Sequence, residues 1–156
     1  FSGMSEFWFF DVVDITTTAG NQWLYESSPN AVTNNGALLI YITGGILAVT
    51  NRMAGVFVQN YYPISTGRQL ISIRMISGVD RTLFSEVYIN GVEISISGSG
   101  GSGTSSFTDQ ILYRSARLGT SSGFLGKRQE SIFYPSDQSA NRVGIETNLN
   151  DYYGIY

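Results

Sequence analysis

The chain has 156 residues, 42% of them apolar and only 13% charged, with nine basic against twelve acidic side chains and a net charge of -3. One domain of that length can bury a substantial apolar core unaided, and the acidic balance leaves no basic stripe for a phosphate backbone, so nucleic acid is not an expected partner. Cysteine and histidine are both absent, which excludes disulfide frameworks, thiol nucleophiles, thiolate or imidazole zinc sites and Ser-His-Asp catalysis.

In chain order, the opening "FSGMSEFWFF" starts at Phe1 and lacks the basic flank and long apolar segment of a secretory leader. A processed chain, or a domain cut from a longer protein, is expected. Glu6 to Ile15 is rich in aromatic and β-branched residues and reads as a strand. "QWLYES" reads as a second, closed by Ser28-Pro29-Asn30. The most apolar window, Gly36 to Thr50, is shorter than the ~20 residues of a spanning helix, so membrane insertion is not expected. Its centre, Gly44-Gly45, suits the two-residue turn of a hairpin between "LLIYIT" and "ILAVTN".

Val56 to Tyr61 reads as a further strand. "RQLISIRMI" alternates, with Ile71, Ile73 and Met75 on one face and Ser72 and Arg74 on the other. In "SEVYINGVEISIS", Asn90-Gly91 is a favoured type I′ turn pair. Val87 and Ile89 before it, and Val92, Ile94 and Ile96 after it, are expected to point inward, with Glu93 and Ser95 outward. Gly98, Gly100 and Gly103 then spell GxGxxG, but no helical stripe and no Walker lysine follow, so the glycines predict a loop and not a phosphate cradle. Near the C-terminus, Ile145, Leu149 and Tyr152 fall at i, i+4 and i+7. They predict one short amphipathic helix with Ser139 as N-cap and Gly154 as its stop.

Three segments in order, "SEFWFF", "EVYINGVEI" and "GFLGKRQESIFYPSDQSANRVGIETNLNDYYGIY", resemble the laminin-G-like, concanavalin A-like lectin/glucanase superfamily, in the version found in bacteriophage and Bacteroidetes proteins. The residues that carry the resemblance are Trp8, the Asn90-Gly91 turn, Phe124, Gly126, Glu130, Tyr134, Arg142, Ile145 and Glu146. Arg128 departs from it, standing where an apolar residue is usual, which implies a more exposed strand or a shift of one residue. The resemblance implies an all-β, two-sheet antiparallel jelly-roll sandwich over residues 1–156, with its first and last strands paired and one short C-terminal helix. The alternating strands and polar turns point independently to a sandwich.

Function does not follow from that fold. A glucanase of the superfamily needs two carboxyl groups about 5 Å apart or more, flanking a glycosidic bond. Glu6 and Asp14 share a strand face but lie far apart at ~3.3 Å per residue, Asp11 faces the other way, and Glu86 and Glu93 read as solvent-facing strand residues. No catalytic residue is therefore assigned. A sugar site needs aromatic platforms beside amides or carboxylates, and Trp23, Tyr25, Gln59, Asn60, Tyr61 and Tyr62 are the candidates. Trp8 is expected in the core, and Tyr134 and Tyr152 are expected to pin the helix to the sheet. Calcium is the one cofactor left open, with Asp80 and Asp109 as weak oxygen donors in loops.

The leading expectation is a non-catalytic module of a phage virion, as head decoration, fibre or tail appendage, displayed on the virion surface or otherwise extracellular. It recognises cell-surface or mucosal carbohydrate. The alternatives are a secreted bacterial carbohydrate-binding module or glycoside hydrolase domain, and a purely architectural subunit-contact domain. Expected partners are carbohydrate or other virion proteins, with homo-oligomer formation through a parent protein.

Overall fold

The computed structural model describes residues 1–27, 35–53, 55–109, 111–117 and 122–156. The Ser28-Pro29-Asn30 turn lies outside them. The strands are β1 (Glu6–Ile15), β2 (Gln22–Glu26), β3 (Leu38–Thr43), β4 (Ile46–Met53), β5 (Val56–Pro63), β6 (Gly67–Ile76), β7 (Ser85–Ile89), β8 (Val92–Glu93), β9 (Gly98–Gly100), β10 (Tyr113–Arg114) and β11 (Gly126–Tyr134), and one helix follows, α1 (Arg142–Tyr153). They form a five-stranded sheet, β11-β1-β6-β7-β8, and a six-stranded sheet, β10-β2-β3-β4-β5-β9. Every ladder is antiparallel, and the first long strand, β1, pairs with the last, β11.

Strand β1 explains the layering. Phe7, Phe9, Val13 and Ile15 face the space between the sheets, where they meet Leu24, Ile40, Val49 and Val58 of the six-stranded sheet. Trp8, Phe10 and Val12 point to the opposite face and are covered by Leu70 and by Ile145, Leu149 and Tyr153 of α1. A strand apolar on both faces needs cover on both. Trp8 is thus buried as expected, but beneath the helix and not between the sheets. Several of the residues that carry the resemblance, Trp8, Tyr134 and Ile145 among them, assemble there as well. Tyr134 packs into the same cluster, Arg142 stacks on the Tyr88 ring at 3.9 Å and pairs with Glu146, and Tyr153 donates to Glu130 at 2.9 Å. Gly126 is required for space, since a Cβ there would come 2.1 Å from the Asp14 carbonyl oxygen.

Four expectations need correction. The helix face is Ile145, Leu149 and Tyr153, and Tyr152 is 80% exposed. At about 100° per residue the covered face is centred between the buried Leu149 and Glu146, so Tyr153, about 40° from Leu149 on the Glu146 side, lies on it, and Tyr152, about 60° from Leu149 on the other side, does not. The N-cap is Asn141, because Ser139 is held one turn early by Asp137, whose carboxylate accepts its backbone N–H at 2.8 Å and its hydroxyl at 2.6 Å. Those two bonds hold the Asp137 carboxyl at about 2. The Asn90-Gly91 turn forms with both residues at positive φ, but the strand after it stops at Glu93. Val92 is 63% and Ile96 37% exposed, and only Ile94 packs against the core. This edge strand has no neighbour on its far side to hold its alternation. Finally, Gly98 to Gly100 is not loop but an edge strand, paired with β5.

The interior also holds charge. Asp11 faces inward, fully buried, and accepts from the Tyr25 hydroxyl at 2.7 Å and the Ser131 hydroxyl at 2.5 Å. Arg128 enters the same space, with Nε 3.7 Å from Asp11 and its guanidinium 4.6 Å from the Tyr25 ring centre. A bulge puts it there: Val12 pairs with Glu130 but Val13 with Arg128, leaving Gln129 as the extra residue. Without that slip, Gln129 and not Arg128 would face inward. The shift of one residue implied by the unusual Arg128 is therefore real.

Burial pushes the Asp11 carboxyl above the ordinary aspartate range, opposed by Arg128, Ser131, Tyr25 and Arg114. A carboxyl raised in the folded state binds its proton more tightly there than in the unfolded chain. Its stabilising contribution is present at low pH and lost as pH rises through the folded value. Asp11→Asn should remove this part of the stability profile, read by urea melts across pH. Arg128→Leu should cost about 3–5 kcal/mol by stranding a buried carboxylate, and Asp11→Leu added to it should recover most of the loss, since Tyr25 and Ser131 still bond each other. Thermal melts should show Leu149→Ala losing about 2–5 kcal/mol, and Tyr152→Ala changing stability by less than about 0.5 kcal/mol.

Candidate functional site

The outer face of the six-stranded sheet carries an aromatic cleft. One register row across it runs Trp23, Tyr41, Ala48, Tyr61, Gly98, and the next runs Leu39, Thr50, Gln59, Gly100. Large side chains on β2, β3 and β5 thus stand around the small Ala48 and Thr50 of β4, with glycines on the edge strand beside them. A Cβ on Gly98 would come within 3.3 Å of the Tyr61 ring. This is what the GxG of the glycine-rich segment does: it lets β9 lie flat beside Tyr61. The cleft measures about 210 Å³ and is lined by Asn21, Trp23, Leu39, Tyr41, Phe57, Gln59 and Arg117.

Its walls are rings and its one charged lining residue is a cation. The Trp23 and Tyr41 rings lie 4.8 Å apart, and the Arg117 guanidinium sits 5.4 Å from the Trp23 ring centre. Arg52 lies 5.1 Å from the Phe57 ring. Such cation–π contacts hold a guanidinium over an apolar surface.

Gln59 sets the hydrogen-bond polarity of this face. Its Oε1 accepts from the Tyr61 hydroxyl at 2.6 Å. Its Nε2 donates to Thr50 Oγ1 at 3.2 Å and to the Tyr41 oxygen at 3.3 Å. The Tyr41 oxygen therefore accepts from within the sheet, which leaves its own proton to be donated elsewhere. Burial, chiefly, and the neighbouring Tyr61 push the Tyr41 phenol upward, so it stays a protonated donor. The Tyr41 hydroxyl and the Arg117 guanidinium both belong to the lining of the cleft.

Of the six residues predicted to bind ligand, Trp23 and Gln59 line the cleft and Tyr61 braces Gln59. The other three are interior. Tyr25 would share the face of Trp23 in a regular strand but lies in the Asp11 cluster, because β2 slips between Trp23, opposite Tyr41, and Tyr25, opposite Ile40. Asn60 and Tyr62 alternate inward on β5, as the period of two requires. Asn60 donates to the Arg81 carbonyl at 3.0 Å and to Ser85 Oγ at 3.1 Å, and the Tyr62 hydroxyl donates to the Ser85 carbonyl at 2.8 Å. Tyr41, Leu39 and Phe57 were missed. Alternation within "LLIYIT" and "VFVQNYYP" marks all three as outward-facing. Arg117 and Asn21 sit outside the strands, where no periodicity points to them.

Among the described residues, several of the acids weighed for catalysis and for calcium are engaged by other groups. Glu6 and Glu86 both bind Arg74, at 2.9 and 3.1 Å, and Asp11 is enclosed. Asp80 accepts from the Thr82 backbone N–H at 3.2 Å, and Asp109 accepts from the backbone nitrogens of Phe1 and Ser2, both at 2.8 Å. Among the described residues no three acidic side chains cluster in a way that would hold a metal ion.

No protein-family model and no curated protein matches the chain. Solved structures do. Mouse laminin alpha1 chain domains LG4-5 align over 85% of this chain and 36% of their own, at 11% identity and TM-score 0.61. The Ruminococcus gnavus sialidase module CBM40, bound to alpha2,3 sialyllactose, aligns over 92% of this chain and 83% of its own, at 13% identity and TM-score 0.62. A structure of botulinum neurotoxin type C, whose cell entry depends on two ganglioside molecules, aligns over 95% of this chain and 36% of its own, at 10% identity and TM-score 0.60. With two antiparallel sheets, paired terminal strands and these structural neighbours, the chain is a laminin-G-like, concanavalin A-like β-sandwich.

Proposed function

We propose that the chain is a non-catalytic carbohydrate-binding module that takes an acidic sugar in the cleft on the outer face of its six-stranded sheet. The observation that carries this reading is the composition of the cleft: aromatic walls with a guanidinium beside them and, among the described residues, no lining carboxylate. Sugar rings offer apolar faces to aromatic side chains, and a carboxylate substituent offers acceptors to the Arg117 guanidinium and the Tyr41 hydroxyl. Drug-sized sites begin near about 300 Å³, so a cleft of about 210 Å³ suits one ring at the end of a glycan. The sialyllactose-bound and ganglioside-dependent proteins of the same fold support the ligand class. A phage virion or other extracellular surface is the proposed setting, supported by the phage-type pattern of the C-terminal segment.

A glycan array probed with the purified protein, with and without calcium, tests the reading. Selective binding of acidic glycans is expected, abolished by Trp23→Ala and weakened about tenfold or more by Tyr41→Phe. Gln59→Glu should weaken it further, because a carboxylate beside Tyr41 draws the phenol proton inward and adds repulsion. Silence from a folded protein under both conditions would sink the reading in favour of an architectural domain.

A further inference from the structure

We propose a second ligand site, independent of the aromatic cleft, at the open edge of the sandwich between β10 and β11, which takes a small carboxylate group. The cavity measures about 260 Å³ and is lined by Arg114, Ser115, Arg128, Gln129, Glu130 and Ser131. No apolar side chain lines it, so its occupant is polar. Two of the six residues are arginines, in a chain with only nine basic residues.

The Arg128 side chain is nine-tenths buried, at 10% exposure. One of its nitrogens, Nη2, donates to the Leu24 carbonyl at 3.2 Å. Nε and Nη1 are buried with no hydrogen-bond partner among the described residues, and Nε stands 3.7 Å from Asp11, beyond hydrogen-bond reach. A buried guanidinium with unused donors is costly unless something else satisfies them. Glu130 lines the cavity, but its Oε2 already accepts from Tyr153 at 2.9 Å on the helix side. Arg114, on the opposite lip, is exposed and supplies a second cation without a large rearrangement.

The backbone is adapted to the same spot. The two irregularities in the strands around this edge, at Leu24 in β2 and Gln129 in β11, both border it. The first turns the Leu24 carbonyl to accept from Ser115 N at 3.0 Å as well as from Arg128. The second turns Arg128 inward. Bulges that re-aim side chains are common beside functional sites. Between the two arginines, the Ser115 hydroxyl and the Gln129 amide offer further donors to a carboxylate, while the Ser131 hydroxyl is committed to Asp11.

The test is an NMR titration of the ¹⁵N-labelled protein with sodium acetate and, separately, with methyl β-D-glucuronide, against sodium chloride at equal ionic strength. The first probe stands for a free acid and the second for an acidic glycan. Saturable shifts are expected for the Arg114 and Arg128 Nε–H groups and for the amides of Ser115, Gln129 and Ser131, with at least one of the two probes. Arg114→Gln should weaken that binding at least tenfold. This residue is exposed, so the variant folds even if Arg128→Lys does not. Trp23→Ala should leave the response unchanged, which separates this site from the cleft. Shifts that never saturate with either probe, or that match chloride, overturn the proposal and leave the cavity to water. So does a saturable response that Arg114→Gln does not alter.

Discussion

Everything else in the molecule is arranged around one strand that has no polar face to give to water. In β1, Phe7, Phe9, Val13 and Ile15 require a partner layer on one side, and Trp8, Phe10 and Val12 require one on the other. The six-stranded sheet supplies the first and α1 the second. At roughly 25 cal/mol per Å² of apolar surface removed from water, seven such side chains outweigh any propensity term in the helix. The helix itself is weakly amphipathic and has no side-chain bond at its N-cap. Its position is set by what it covers.

The covered face also explains the polar residues beneath α1. Ser72 and Glu146 are both buried there, and burial pushes the Glu146 carboxyl upward against the pull of Ser72 and Arg142. Arg142 meets that acid one turn away and lays its other side on Tyr88. A charged pair flanked by an aromatic ring can sit under a helix without stranding a charge.

Much of this was legible in the sequence, and the departures of Tyr25 and Arg128 from simple alternation share one cause. The long strands, the two tight hairpins and the terminal helix follow from periods of two and 3.6 that residues such as Ile71, Ile73 and Met75 display openly. Side-chain parity fails at the slips in β2 and β11, which no periodicity announces, and Tyr25 and Arg128 are the residues they misplace. Less of the cleft was legible: Trp23 and Gln59 stand out by type, whereas Leu39, Tyr41 and Phe57 are set outward by alternation but carry no chemical mark of a site. Arg117 belongs to a stretch with no pattern, and only the folded chain brings it to Trp23. Arg128 is the instructive case, since its misfit to an apolar position was the one sign in the sequence of an irregular strand.

The slip at Gln129 has a consequence beyond aiming an arginine. Strand β11 is nine residues long and forms the free edge of its sheet, the sort of edge that invites edge-to-edge aggregation when many copies are crowded together. An interrupted ladder, with Lys127 exposed beside it, denies an incoming strand a continuous row of amide and carbonyl groups. The same residue that turns Arg128 inward thereby interrupts the edge of its sheet.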